Sequence, residues 1–125
     1  MKLLLDTHAL LWWLGDPDQL ARPARQAIEL ASSDVFVSSA SLWEMSIKQA
    51  LGKLEMPGNP LDAVHASGFR WLDIRSEHAW KAGTLRAHHR DPFDRMLVAQ
   101  AEIEQLVLVT RDNRLSLYGI AVLPA

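Results

Sequence analysis

The chain has 125 residues, 49% of them apolar, which at this length is enough to bury a core and argues against disorder. Thirteen Lys and Arg against fifteen Asp and Glu leave a formal charge of -2, which excludes a nucleic-acid binder working by overall positive charge and leaves only a groove with local charge. Cysteine is absent, so disulfide scaffolds, thiolate metal sites and cysteine nucleophiles are excluded together; a metal here needs oxygen or imidazole ligands.

The opening MKLLLDTHALLWWLG is rich in apolar residues, but Asp6 and His8 interrupt it and no small-residue cleavage site follows, so it reads as mature protein rather than a secretory leader. No stretch reaches the roughly 18 apolar residues that a membrane-spanning helix needs, and a soluble, cytoplasmic protein with no membrane association is expected.

Residues 2–5 form a short apolar run ending at Asp6, and residues 35–37 and 106–109 repeat that pattern, each with a polar group just beyond. These read as buried parallel strands. Residues 71–74 and 120–123 are two further strand candidates, brief and partly polar. Residues 23–31 open with proline and place Ala24, Ala27, Ile28 and Ala31 on one helical face. Residues 41–51 and 92–103 also read as helices, with weaker helical patterns at 61–66 and 77–85, and the Pro- and Gly-punctuated residues 52–60 as a loop. Strands alternating with helices of this length predict one α/β domain spanning residues 1–125, with a mostly parallel sheet of four or five strands flanked by helices.

Ligands of such sheets bind outside the carboxyl ends of the strands, which directs attention to the acids there. Asp6 ends the first strand, Asp112 lies three positions after Val109, Glu44 falls in the first turns of the helix after Val37, and Asp94 opens the helix before Leu106. Neighbouring parallel strands lie about 4.8 Å apart, so these side chains can face one crevice. Gathered carboxylates raise one another's pKa values unless a cation neutralises them, and magnesium, or manganese, is the oxygen-seeking ion that suits such a set. That ion, with an activated water, performs phosphodiester hydrolysis.

Each acid also has a structural reading. Glu44 precedes Lys48 by four residues, the orientation of a helical ion pair, and that reading fits the spacing equally well. Asp112 fits the cap of a short helix around residues 113–117 equally well. Asp91 before Pro92 reads foremost as an N-cap. Asp94, third in that helix, is stabilised there by the helix dipole. Asp6 alone resists a structural account, because a carboxylate abutting an apolar strand is partly buried and calls for a partner.

His88 and His89, with Arg86, Arg90 and Arg95, form the densest basic stretch, read either as a solvated loop or as contacts to a phosphate backbone. Setting the four acids aside, eleven acidic residues remain against thirteen basic ones, which permits RNA binding. Trp12, Trp13, Trp43, Trp71 and Trp80 are read as packing or interface residues rather than base-stacking ones; Trp12 and Trp13, being adjacent, cannot both be buried in one direction. His8 reads as local packing, and Ser39 and Ser41 as caps of the following helix.

The segments LLLDTHALLWWL, SSASLWEMSIKQALGKL, HHRDPFDRMLVAQA and LVTRDNRL occur in the order of the motif blocks of the PIN-domain family, and the whole chain resembles its VapC-like toxins of bacterial toxin–antitoxin pairs. The resemblance implies a metal site at Asp6, Glu44, Asp94 and Asp112, magnesium-dependent cleavage of RNA, a homodimer and a small cognate antitoxin protein as partner. It leaves open whether Asp91, inside the block DPFDR, joins the site. Two other classes compete. Phosphotransfer through a covalent aspartate fits less well: a phosphatase of that kind has a second aspartate where this chain has His8, and a receiver domain pairs its aspartate with another acid. A catalytically silent partner-binding module on the same fold leaves the four acids without a purpose.

Overall fold

The computed structural model describes residues 1–30 and 34–125. Among these residues, five strands form one all-parallel sheet: β1 (Leu3–Leu5), β2 (Val35–Ser38), β3 (Arg70–Leu72), β4 (Val107–Thr110) and β5 (Val122–Pro124), in the spatial order β3-β2-β1-β4-β5. The connecting helices are α1 (Thr7–Gly15), α2 (Arg22–Leu30), α3 (Ser39–Ala50), α4 (Pro60–Ala66), α5 (Ser76–Thr84) and α6 (Pro92–Glu104), with 3-10 turns at Pro17–Gln19 and Asn113–Tyr118.

β1 is the central strand and is apolar throughout because both of its faces are covered. Leu3 and Leu5 join the layer that holds Leu10, Ile28 and Met45, while Leu4, pointing the other way, joins Leu97, Val98 and Leu115. All three leucines are inaccessible to solvent. Leu5 stands opposite Val37 on one side and Val109 on the other, and the Asp6 backbone N–H continues the ladder by donating to the Val109 carbonyl at 3.0 Å. The carboxyl ends of β2, β1 and β4 therefore lie side by side.

The expected strands are present, with the three later ones displaced by one or two residues: 106–109 is Val107–Thr110, 71–74 is Arg70–Leu72, and 120–123 is Val122–Pro124. Apolar side chains continue past strand ends into loops, so hydropathy alone does not mark where the ladder stops. The helix α1 was not among the expected elements. Its ALLWWL core carries no polar stripe, so the periodicity of a surface helix is missing; Asp6 starts it by accepting the Ala9 N–H at 2.7 Å. Ala31, assigned to the second helix from sequence, lies outside the described residues.

α3 begins two residues earlier than expected, and Ser38 is its cap, accepting from the Ala40 N–H at 3.0 Å. The capping roles read for Ser39 and Ser41 are thereby corrected: the Ser39 hydroxyl accepts from the Ile74 N–H, and the buried Ser41 hydroxyl has no hydrogen-bond partner among the described residues. Asp91 caps α6 through the N–H groups of Phe93 and Asp94, with Pro92 as first helical residue. That helix ends at Gln105 in a left-handed conformation, φ 55°. Among the described residues no helix is long and apolar enough to cross a membrane.

Two stability changes are expected in urea unfolding. Leu4→Ala opens a cavity beside the central strand and lowers stability by about 3 kcal/mol. Gln105→Gly relieves the left-handed strain at the end of α6 and raises stability by about 0.5–1 kcal/mol.

Candidate metal centre

The ends of β1 and β4 and the start of α6 open onto one cleft of about 400 Å³, lined by Asp6, His8, Trp12, His89, Asp91, Asp94, Arg111, Asp112 and Arg114. Three of the four sequence-nominated acids, Asp6, Asp94 and Asp112, are on its wall. Glu44 is set back from it: buried on α3, it accepts the Thr7 hydroxyl proton on Oε1 at 2.6 Å, and its Oε2 lies 2.9 Å from Lys48 Nζ. The i,i+4 ion pair read from the sequence therefore forms, and Thr7, the residue after Asp6, ties Glu44 to the end of β1.

The charges of this group are poorly balanced. Burial pushes the Asp6 carboxyl upward, against the hydrogen bonds from the Thr110 hydroxyl and the Ala9 N–H that favour its charged form. Asp94 is pushed up to about 7, first by burial and then by the charge of Asp91, with smaller contributions from Asp6 and Glu44; His89 acts in the opposite direction. Asp112 behaves differently. Arg114 grips it through Nε to Oδ1 at 3.0 Å and Nη2 to Oδ2 at 2.8 Å, and these bonds hold its carboxyl well below the usual carboxylate range. Asp112 also caps the Asn113–Tyr118 turn by accepting the Arg114 N–H, as one of its two sequence readings had it.

His89 was read with the basic stretch as a loop or phosphate contact; instead its side chain is inserted among the acids. Its Nδ1 accepts the Asp91 N–H at 3.0 Å, which leaves Nε2 as the protonated nitrogen. Nε2 lies 2.8 Å from Asp112 Oδ2 and 3.2 Å from Asp94 Oδ2, and so bridges the two carboxylates. Arg114 Nη2 approaches the same Nε2 at 3.2 Å, but both are donors converging on one Asp112 oxygen.

Arg95 is also corrected. Its guanidinium points inward and donates to the carbonyls of Ala82, Leu85, Arg86 and His89 at 2.9–3.3 Å, closing residues 82–89 into the loop that delivers His89. It is not free for phosphate, whereas Arg86 and Arg90 remain exposed. His8 does pack on Trp12, at a ring distance of 5.8 Å, but at the exposed rim of the cleft. The site therefore includes Thr7, His89, Thr110 and Arg114 beyond the nominated acids. Hydroxyls next to the strand ends and a histidine ahead of an Asp-Pro cap were the available sequence signals.

The donor chemistry fits a hard divalent cation. Burial and the neighbouring charge of Asp91 raise the Asp94 pKa, so its carboxylate gains from a cation, and oxygen donors line the cleft. His89, Asp94 and Asp112 each offer a ligand atom within 4.8 Å of the others. In the tautomer present His89 is a donor to the acids rather than a ligand, so Asp94 and Asp6 are the better oxygen sources.

An all-parallel sheet flanked by helices, with carboxyl groups gathered in a cleft at its carboxyl edge, defines a class of α/β domain with an acidic site at the strand ends. The chain belongs to the PIN domain family, whose model matches residues 3–121. It is 33% identical to Ribonuclease VapC22 of Mycobacterium tuberculosis over 116 residues, 90% of this chain and 88% of that protein. The DNA-bound VapBC complex of Salmonella typhimurium contains a chain that is 25% identical, with a TM-score of 0.73 over 98% of this chain and 97% of that one. A chain of the VapBC2 complex of Rickettsia felis, bound to a promoter DNA fragment, shares the fold at 16% identity, TM-score 0.73, over 98% of each chain.

The raised Asp94 pKa sets a pH dependence. A carboxyl that binds its proton more tightly when folded destabilises the native state as pH rises between its unfolded value, near 4, and about 7. In chelator, unfolding free energy should fall from pH 5 to pH 8 by at most about 1.4 kcal/mol per unit, Asp94→Asn should remove most of that slope, and magnesium should restore stability at pH 8. Arg95→Ala, which orphans four carbonyls, should lower stability by about 2 kcal/mol in the same assay.

Proposed function

We propose that the protein is a magnesium-dependent endoribonuclease, the toxin of a toxin–antitoxin pair, acting in the cytoplasm, with residues 1–125 as one nuclease domain. The observation that carries this reading is the cleft lined by Asp6, Asp94 and Asp112, in which burial, and after it the charge of Asp91, pushes Asp94 up to about 7. The ribonuclease name of the Mycobacterium tuberculosis relative and the VapBC assemblies of the structural neighbours support it.

Asp6, Glu44, Asp94 and Asp112 are the metal-holding and catalytic group. Magnesium, or manganese in its place, would supply charge neutralisation there and lower the pKa of a water for attack on phosphorus. Asp6 and Asp94 line the cleft, and Asp94 or Glu44 would orient the attacking water. Thr7 and Lys48 fix the Glu44 carboxylate, whose movement into the ligand set requires the Lys48 pair to yield. His89 and Arg114 keep Asp112 ionised and oriented. Asp91 caps α6 and aims Asp94 rather than joining the ligands.

Partners are a cognate antitoxin and a second copy of the chain. Trp43, Ile47 and Leu51 form an exposed apolar stripe at i, i+4, i+8 along α3 and its cap, a surface of the kind that partner proteins cover.

Purified protein incubated with RNA and magnesium should cleave it; chelator, Asp6→Asn and Asp94→Asn should each reduce the rate at least a hundredfold while the variants keep a cooperative unfolding transition. Equal cleavage in all conditions would remove the metal from the mechanism. Growth arrest on expression, relieved by co-expressed antitoxin and by Asp94→Asn, tests the toxin role.

A further inference from the structure

Two clefts adjoin at the loop that Arg95 closes. The acidic one is lined by His89; a second, of about 320 Å³, is lined by the residue before it, His88, together with Lys81 of α5, Arg86, Glu102 of α6 and Tyr118. The Asn113–Tyr118 turn is shared in the same way, with Arg114 on the first cleft and Tyr118 on the second. Consecutive residues are about 3.8 Å apart, so the wall between the clefts is one loop thick. The second cleft has fixed walls: His88 packs edge-to-face on Tyr118 at a ring distance of 5.0 Å, and Arg95 Nη1 donates both to the Tyr118 hydroxyl at 3.4 Å and to the Arg86 carbonyl at 3.0 Å. Its charge is one-sided. Glu102 is engaged by Lys81 Nζ at 3.3 Å, which leaves the Arg86 guanidinium, exposed and in no ion pair or hydrogen bond among the described residues, as the uncompensated charge. Arg90, on the loop between this cleft and the acids, is likewise exposed and unpaired among the described residues.

We propose that this second cleft is a backbone subsite for the RNA chain: with the phosphate to be cut at the acids, the strand crosses the loop at Arg90 and a phosphate further along it is held by Arg86. This deepens, and rests on, the nuclease reading above. Carboxylates attract a phosphate only through a cation, and that contact is confined to the reacting group. The Arg86 guanidinium needs no cation, gives up no protein partner when a phosphate arrives, and its planar fork matches two phosphate oxygens. Contacts of this kind set the register of a nucleic acid without reading its bases. The subsite therefore acts on affinity for substrates long enough to reach it, and leaves the chemistry at the acids unchanged.

The test is binding, read separately from cleavage. In the Asp6→Asn background with magnesium, a fluorescently labelled RNA of about twelve nucleotides is titrated by anisotropy over a range of salt concentrations. Arg86→Ala should weaken binding about fivefold and lower the salt slope by about one, and Arg86→Lys should recover part of the loss. Glu102→Gln, which releases Lys81 to the cleft, should tighten binding about twofold. Arg22→Ala, exposed on α2 against the other face of the sheet, removes the same charge and should change binding by less than about twofold. Arg86 and Glu102 are both exposed, so folding of these variants is not at risk. The place on the strand is read by replacing one phosphate at a time with an uncharged methylphosphonate: at the phosphate seated on Arg86 the replacement should weaken binding by the parent about fivefold and leave binding by Arg86→Ala unchanged. In the wild-type background Arg86→Ala should raise KM for the same RNA and leave kcat unaltered. No RNA binding by the parent, an Arg86→Ala loss no larger than that of Arg22→Ala, or the lack of any phosphate whose replacement is silent in the variant overturns the subsite, whatever the cleavage result. Coupling at one phosphate in a protein whose wild type cuts no RNA would instead uphold the subsite and overturn the nuclease reading.

Discussion

The position of β1 between β2 and β4 constrains the rest of the molecule. With Leu5 opposite both Val37 and Val109, the three central strands end at the same level, and the chain leaves each of them carrying polar groups: Asp6 and Thr7, Ser38 and the helix bearing Glu44, Thr110 to Asp112. Parallel pairing allows this because every strand presents the same end on the same edge. Burial of Leu3, Leu4 and Leu5 on both faces supplies the stability that offsets bringing like charges together there.

Those charges are managed in two ways. Asp112 is neutralised within the protein by a two-point guanidinium contact, and Glu44 by Thr7 and Lys48. Asp6 and Asp94 receive less: for Asp6 the Ala9 N–H and the Thr110 hydroxyl, for Asp94 one imidazole N–H shared with Asp112. Asp6 and Asp94 are thus the least compensated of the acids that line the cleft. Arg111 and Arg114 line the same cleft, so a chain of formal charge -2 still sets positive charge beside its acids.

Delivery of His89 into this site depends on Arg95. Four carbonyls of one loop converge on a single guanidinium, and the neighbouring Asp91 caps the helix that carries Asp94. The DPFDR segment therefore supplies a cap, a cleft acid and a loop clamp within five residues, each acting at a different distance along the chain.

The alternation of strands and helices, the acids at the strand ends and the cap at Asp91 were legible in the sequence, and the pairing of Glu44 with Lys48 was one of two readings its spacing allowed, because these follow from local periodicity and contacts within about four residues. Its motif blocks also pointed to the family to which the chain belongs. It did not mark α1, where every face is apolar, nor separate the loop histidines from the arginines around them. That His89 reaches Asp112 across 23 residues, that Arg95 turns inward and that Arg111 rests on Trp12 came from the fold alone. Long polar side chains go to whichever charge or carbonyl the fold brings near, and that neighbour is fixed by the return of distant segments rather than by spacing along the chain.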